Sequence, residues 1–144
     1  MTIEQPILVD TWGWLAFGHR RDAHHEEVKQ IFEGYQSRRK PLATTDYILD
    51  ELITLLFRRE NHAEATGFID GLFASAAVGN LRIHKVTSNR FHAALELRKR
   101  LRDKPLISFT DLTTMVIMQE LQIAQILTAD EHFQHIGMGF VKAP

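Results

Sequence analysis

The sequence predicts an α/β domain in which a parallel sheet carries helices on both faces. Three observations lead there. Short apolar runs of strand character alternate along the chain with helical periodicities. The connections between them are short, and no Gly-x-Gly-x-x-Gly or Walker lysine motif opens a helix, so a site must be built from side chains. The first run, Ile7-Leu8-Val9, ends abruptly on Asp10, and the last residue of a buried parallel strand lies at the carboxyl edge of the sheet, where ligands bind.

Composition bounds the function. The 144 residues fit one domain, 1–144, and 44% hydrophobic with 24% charged residues is a globular mixture rather than a disordered one. The absence of cysteine excludes disulfides, thiolate metal sites and cysteine nucleophiles, so any metal must use oxygen or imidazole. The segment Met1-Thr2-Ile3-Glu4-Gln5-Pro6 lacks the basic and apolar regions of a signal peptide, and no apolar run approaches the ~20 residues of a membrane helix; a cytoplasmic protein with no membrane association is expected. A net charge of −1 does not fit a strongly basic polyanion binder. Basic residues are nevertheless clustered at His19-Arg20-Arg21, Arg38-Arg39-Lys40, Arg58-Arg59 and Arg98 to Lys104, either as a ring about an acidic centre or as solvated helix faces.

In order, Thr11 to Gly18 carries Trp12, Leu15 and Ala16 at helical spacing, with Gly18 as a stop. Asp22 to Arg39 holds Ala23, Val28, Ile31, Phe32 and Tyr35 in a second amphipathic pattern that ends on basic residues and is closed by Pro41. Leu42-Ala43-Thr44 reads as a strand, and about Asp46 to Arg59 as a helix with Ile48, Leu52, Leu55 and Leu56 on one face. Ala63 to Ala77 is a further helix, Gly79-Asn80 a turn and Leu81 to Val86 a strand. Asn89 to Leu101 is helical before Pro105; then come a helix from Ser108 to Leu121, a strand from Gln125 to Thr128, a short helix from Glu131 to His135 and an edge strand from Met138 to Val141.

Four acids share one placement rule. Asp10 and Asp130 follow strands, while Glu51 and Asp111 stand early in helices that follow strands or loops. On its helix Glu51 flanks the face marked by Ile48, Leu52 and Leu55, and Asp50 points to the opposite side, so Glu51 is predicted inward and Asp50 outward. Asp111 shares a face with Met115 and Met118. Each acid has a purely structural reading as well: Asp10 and Asp130 as helix N-caps, and Asp111 within the capping-box pattern Ser108-Phe109-Thr110-Asp111. Taken together, the four can meet above the carboxyl edge of a parallel sheet. Two unit charges ~4 Å apart repel by about 4 kcal/mol at an effective dielectric near 20, so such a cluster needs a counter-ion, and oxygen ligands favour Mg²⁺ or Mn²⁺.

The segments Ile7-Leu8-Val9-Asp10-Thr11, Asp50-Glu51-Leu52-Ile53-Thr54-Leu55-Leu56, Ser108-Phe109-Thr110-Asp111 and Leu127-Thr128-Ala129-Asp130-Glu131-His132-Phe133 resemble, in order and spacing, those of the PIN domain and its VapC-like toxin ribonucleases. The resemblance spans almost the whole chain, with little signal from Asn61 to Lys104. It implies a parallel sheet of four or five strands between helices. It further implies metal-dependent endonuclease cleavage of RNA, with Asp10, Glu51 and Asp111 as a metal-binding triad, Asp130 as the fourth acid and Thr11 as a supporting hydroxyl. The toxin branch implies a type II toxin–antitoxin pair, in which a homodimer is held inactive by a small antitoxin. Trp12 departs from the small polar residue usual at its position.

Other readings are weaker. His132 and His135 stand on adjacent turns without an evident third ligand, which argues against zinc. Acyl transfer lacks a Gly-x-Ser-x-Gly elbow, and an aspartyl phosphate at Asp10 lacks a lysine or second acid in Thr11-Trp12-Gly13. Two alternatives stay open: a non-catalytic module of the same fold that binds RNA or protein, and a housekeeping nuclease with no antitoxin.

Overall fold

The computed structural model describes residues 5–144; residues 1–4, part of the segment read for a signal peptide, lie outside the described residues. The element order is β1 (Ile7–Val9), α1 (Thr11–Gly18), α2 (His25–Ser37), β2 (Leu42–Thr45), α3 (Asp46–Arg59), α4 (His62–Ala77), β3 (Leu81–His84), α5 (Ser88–Arg100), α6 (Phe109–Leu121), β4 (Gln125–Leu127), α7 (His132–His135) and β5 (Val141–Ala143). Among the described residues the strands form one five-stranded sheet in the order β3, β2, β1, β4, β5, with every pairing parallel. No helix among them is long and apolar enough to cross a membrane.

This topology positions the site. The chain steps outward from β1 to β2 to β3 through α1 to α4, then returns through α5 and α6 to β4 on the other side of β1. Right-handed crossovers taken in opposite directions lie on opposite faces, so α1 to α4 cover one face and α5 and α6 the other. The strand order reverses between β1 and β4, and the crevice outside their carboxyl ends is the place where open α/β sheets take ligands. Strand β1 is buried along its whole length, as a central parallel strand covered on both faces must be. Leu52, Leu112, Met115, Met118, Ile126 and Phe133 are among the fully buried side chains of the core about it.

Helix α1 passes unusually close to the sheet at Gly13. A Cβ there would stand 2.9 Å from Val9 Cγ1 and 3.0 Å from Leu127 Cδ2, both on fully buried side chains. Gly13→Ala gains roughly 1 kcal/mol of helix propensity but overpacks a filled core at a cost of roughly 1–3 kcal/mol. A net loss of about 1 kcal/mol in urea unfolding is therefore expected; a stabilised variant would show that the core yields.

The capping signals act locally. Thr45, Asn61, Thr87 and Ser108 side chains each accept a backbone N–H in the first turn of α3, α4, α5 and α6. Arg98 closes the loop between α5 and α6, its guanidinium donating to the carbonyls of Ile107, Leu101 and Lys104 at 2.6–2.8 Å.

Most boundaries lie within a residue of the sequence reading, but α2 is shorter at both ends, His25–Ser37 rather than Asp22 to Arg39. Three further differences concern β3, β5 and the last helix. The strand expected to reach Val86 ends at His84, because the Val86 N–H donates to Asp46 Oδ1 at 2.9 Å instead of continuing the ladder. The edge strand is Val141–Ala143 rather than Met138 to Val141. Gly137 and Gly139 adopt φ of +75° and +86°, a left-handed backbone that turns the chain before it can pair with β4. The last short helix begins at His132, one residue later than expected.

Candidate active site

Adjacent parallel strands end side by side. Val9 is in register with Leu127, so Asp10 and Thr128, the next residue on each strand, are neighbours although 118 positions apart. The ladder extends one bond further, from Asp10 N–H to the Leu127 carbonyl at 3.3 Å. The Thr128 hydroxyl donates to Asp10 Oδ2 and accepts from the Asp130 N–H at 3.0 Å. A single buried hydroxyl thus ties the acid after β1 to the acid after β4. The other Asp10 oxygen accepts from the Gly13 N–H at 3.2 Å, the N-cap of α1, so the capping and site roles of this residue coexist.

Asp111 enters from the first turn of α6. Its N–H donates to the Ser108 hydroxyl at 3.1 Å, which makes Ser108 the cap of that helix. Glu51 enters from α3 on the line shared with Ile48 and Leu55, and these three line one cavity of about 590 Å³ together with Asp10, Thr11, Asp111 and Asp130. Asp50 is exposed and outside that cavity. Glu51 is itself solvent-exposed, because the inward side of α3 at this point is the wall of the cavity and not the packed core. Thr11, the first residue of α1, is buried and lines the same cavity.

The electrostatics are those of a site short of cations. Burial pushes the Asp10 carboxyl up to about 6, against the pull of the Thr128 hydroxyl and the Gly13 and Trp12 backbone; the charge of Asp130 adds to the rise. Asp111 is pushed up to about 7, first by burial, then by the neighbouring Asp130 charge, with Asp10 contributing. Among the described residues no lysine or arginine makes an ion pair with Asp10, Glu51, Asp111 or Asp130. Of the two readings of the basic clusters, the ring about the acids is not what forms. Among the described residues Arg59 is the one arginine or lysine that lines the acidic cavity, whereas Arg39 and Lys40 line a separate cavity that reaches the start of β2. Arg98 is spent on carbonyls and Arg90 pairs with Glu120 at 2.5 Å.

His132 belongs with the acids, which corrects the reading that no third ligand accompanies it. Ligand atoms of Asp111, Asp130 and His132 lie within 4.8 Å of one another. The His132 Nδ1 is 3.0 Å from Asp130 Oδ1 but outside hydrogen-bonding geometry, so it is a buried nitrogen with no hydrogen-bond partner among the described residues. Unpaired carboxylates with raised pKa values beside an orphaned imidazole nitrogen fit a divalent cation by their donor chemistry. The sequence reading did not single out Thr128, although Thr128 occupies on β4 the position that Asp10 occupies on β1. Only knowledge that the two strands pair would have exposed it.

The family model described as PIN domain matches residues 7–138. The 23S rRNA-specific endonuclease VapC20 of Mycobacterium tuberculosis is 31% identical over 134 residues, covering 91% of this chain and 94% of that protein. A VapC ribonuclease of Archaeoglobus fulgidus is 28% identical over 127 residues, covering 88% of this chain and 78% of that protein. The crystal structure of the M. tuberculosis VapC20, a sarcin–ricin loop cleaving toxin, matches with a TM-score of 0.74 at 28% identity, covering 94% of this chain and 96% of that one.

Proposed function

Since this chain belongs to the PIN-domain family, we propose that it is a metal-dependent endoribonuclease that hydrolyses phosphodiester bonds in RNA and serves as the toxin of a type II toxin–antitoxin pair. One observation carries the reading: Asp10, Glu51, Asp111 and Asp130 line a single cavity at the sheet's switch point, and among the described residues no lysine or arginine is paired to any of them. These four would hold the ion, Mg²⁺ or Mn²⁺, with Thr11 in support and the His132 nitrogen within reach of Asp111 and Asp130. When bound, such an ion supplies a Lewis acid for the phosphodiester and lowers the pKa of a water nucleophile.

The protein's own part is orientation and charge. Thr128 fixes the rotamer of Asp10 and the backbone of Asp130 at once, so two carboxylates from different strands keep one relative position. Ser108 anchors the first turn of α6 and with it Asp111. Burial holds the Asp10 and Asp111 carboxyls above the usual carboxylate range, so protons and a cation would compete for their oxygens.

The partners proposed are an RNA substrate, a small cognate antitoxin and a second copy of the chain, within a single domain over 1–144 acting in the cytoplasm. Exposed Phe91 and Leu95, four residues apart on α5, with Leu106 exposed in the loop after it, support self-association.

Two measurements test the chemistry. With Mn²⁺ and RNA substrates that include a sarcin–ricin loop hairpin, excess EDTA is expected to stop cleavage; undiminished cleavage sinks the metal mechanism, and metal and RNA binding without cleavage favours a binding module. In the same assay Glu51→Gln is expected to lower the rate by roughly 100-fold or more, a loss of several kcal/mol of charge stabilisation, with Asp50→Asn within a few-fold of wild type. If Asp50→Asn is the more damaging change, the wrong face of α3 has been assigned to the site.

A further inference from the structure

The cavity has a second wall that the four acids do not account for. Beside the acids it is lined by Trp12 and Leu15 from α1 and by Leu55 and Arg59 from α3, which are apolar, aromatic or cationic. Glu51, Leu55 and Arg59 recur every four residues along α3, so Arg59 lies about 12 Å along the helix from Glu51, with Leu55 between.

Both polar members of this wall are uncommitted. Among the described residues Arg59 makes no hydrogen bond or ion pair, whereas its neighbour Glu60 is held by His19 Nδ1 at 2.9 Å. The two tryptophans of α1 divide in the same way. Trp14 is buried, and its indole N–H donates to Thr44 Oγ1 at 3.1 Å as part of the core. Trp12 is half-buried, its ring steadied by His24 at a centroid distance of 5.2 Å, and its indole N–H has no partner among the described residues. Trp12 thus packs against the edge of the core on one side and lines the acidic cavity on the other, where its polar edge is unused.

We infer that Trp12 and Arg59 form a nucleotide subsite beside the scissile phosphate, in which the indole stacks on a base and the guanidinium binds a flanking phosphate. The inference rests on the ribonuclease reading and deepens it. A polyanion approaching a wall of carboxylates needs a fixed cation at its flank, and a guanidinium matches two phosphate oxygens at once. Unpaired RNA bases are held by stacking on aromatic side chains, which tolerates sequence because every base has a π-face. Leu15 and Leu55 line the same cavity and offer apolar surface to a base.

The test uses Glu51→Gln protein in Mn²⁺, so that the RNA stays intact, and measures fluorescence anisotropy with two probes. One is a short single-stranded oligoribonucleotide of random sequence; the other is the same backbone with abasic ribose throughout. The base-bearing probe is expected to bind more tightly by about tenfold or more. Adding Trp12→Ala is expected to erase that difference while leaving abasic affinity unchanged, and Trp12→Phe to restore part of it. Adding Arg59→Ala is expected to weaken both probes equally and to reduce the slope of log affinity against log salt by about 0.7. Should Trp12→Ala fail to fold, Trp12→Leu keeps the apolar bulk without the aromatic face and is expected to behave the same way. A base-dependent difference that survives loss of the indole, a salt slope unchanged by Arg59→Ala, or no binding of either probe overturns the subsite. The ribonuclease reading fails differently: wild-type protein cuts no RNA while probe binding still responds to Trp12 and Arg59.

Discussion

Asp10→Asn, assayed in Mn²⁺ on an RNA that the wild-type chain cuts, cleaves at least about a hundredfold more slowly, the loss expected when charge worth several kcal/mol is removed from the reacting centre. The substitution is informative because Asn caps helices as well as Asp does. The bond from the Gly13 N–H survives it, so α1 keeps its start and only the negative charge goes. Melting temperature is then expected to stay level or rise without metal, because a carboxyl that burial already pushes up to about 6 is one whose charge the fold does not favour. Low activity with an undiminished melting temperature separates a ligand from a cap. Activity within tenfold of wild type, or a drop in stability matching the drop in rate, assigns Asp10 to the capping of α1 alone.

Asp111→Asn is expected to act in opposite directions with and without metal. The Asp111 carboxyl is pushed up to about 7, above its unfolded value near 4, so its contribution to stability is full below about pH 4 and is lost as pH rises through 7. Above that pH, metal-free wild type carries the burial of the Asp111 charge and its repulsion by Asp130 and Asp10, together a cost on the order of a few kcal/mol. Metal-free Asp111→Asn therefore melts near wild type at pH 4 and increasingly above it toward pH 8. Adding Mn²⁺ reverses the comparison. Binding stabilises by RT ln(1 + [L]/Kd), about 2.7 kcal/mol at a hundredfold excess over Kd, and the variant with one ligand fewer gains less. The wild-type Mn²⁺ shift should itself grow with pH, since protons and cation compete for the same oxygens. Ser108 already caps α6 through its hydroxyl, which leaves the Asp111 carboxylate free of that duty. A variant that melts lower in EDTA by the ~1 kcal/mol of a lost cap, with an unchanged Mn²⁺ shift, removes Asp111 from the site.

Much of the architecture was legible because its causes are local. Helix α3 runs from Asp46 to Arg59 as its apolar period indicated, with Thr45 ahead of it supplying the cap. Phase within that helix separates Glu51 from Asp50, since adjacent helical positions are about 100° apart. Where a local rule was missing, the reading slipped. The last strand was misplaced because nothing in Gly137-Met138-Gly139 announces which glycines take positive φ. His132 was paired with His135 by helical spacing, yet α7 only begins at His132, and the turn after Asp130 aims the ring at the acids instead.

By itself the sequence determined which residues end strands and open helices, and so which acids could reach the carboxyl edge of a parallel sheet. Periodicity, caps and breakers act over a few residues, and four acids obeying one placement rule can be read from them. Tertiary structure alone decided that β4 lies against β1, which sets Thr128 between Asp10 and Asp130. It also decided that Arg59, of all the clustered basic residues, shares the acidic cavity, and that Trp12 faces this cavity while Trp14 fills the core. The physical reason is that parallel strands joined by crossovers carry no turn to set their neighbours or register; long-range packing sets both. The raised pKa values of Asp10 and Asp111 follow from the same packing, because desolvation and charge proximity exist only once distant segments are buried together.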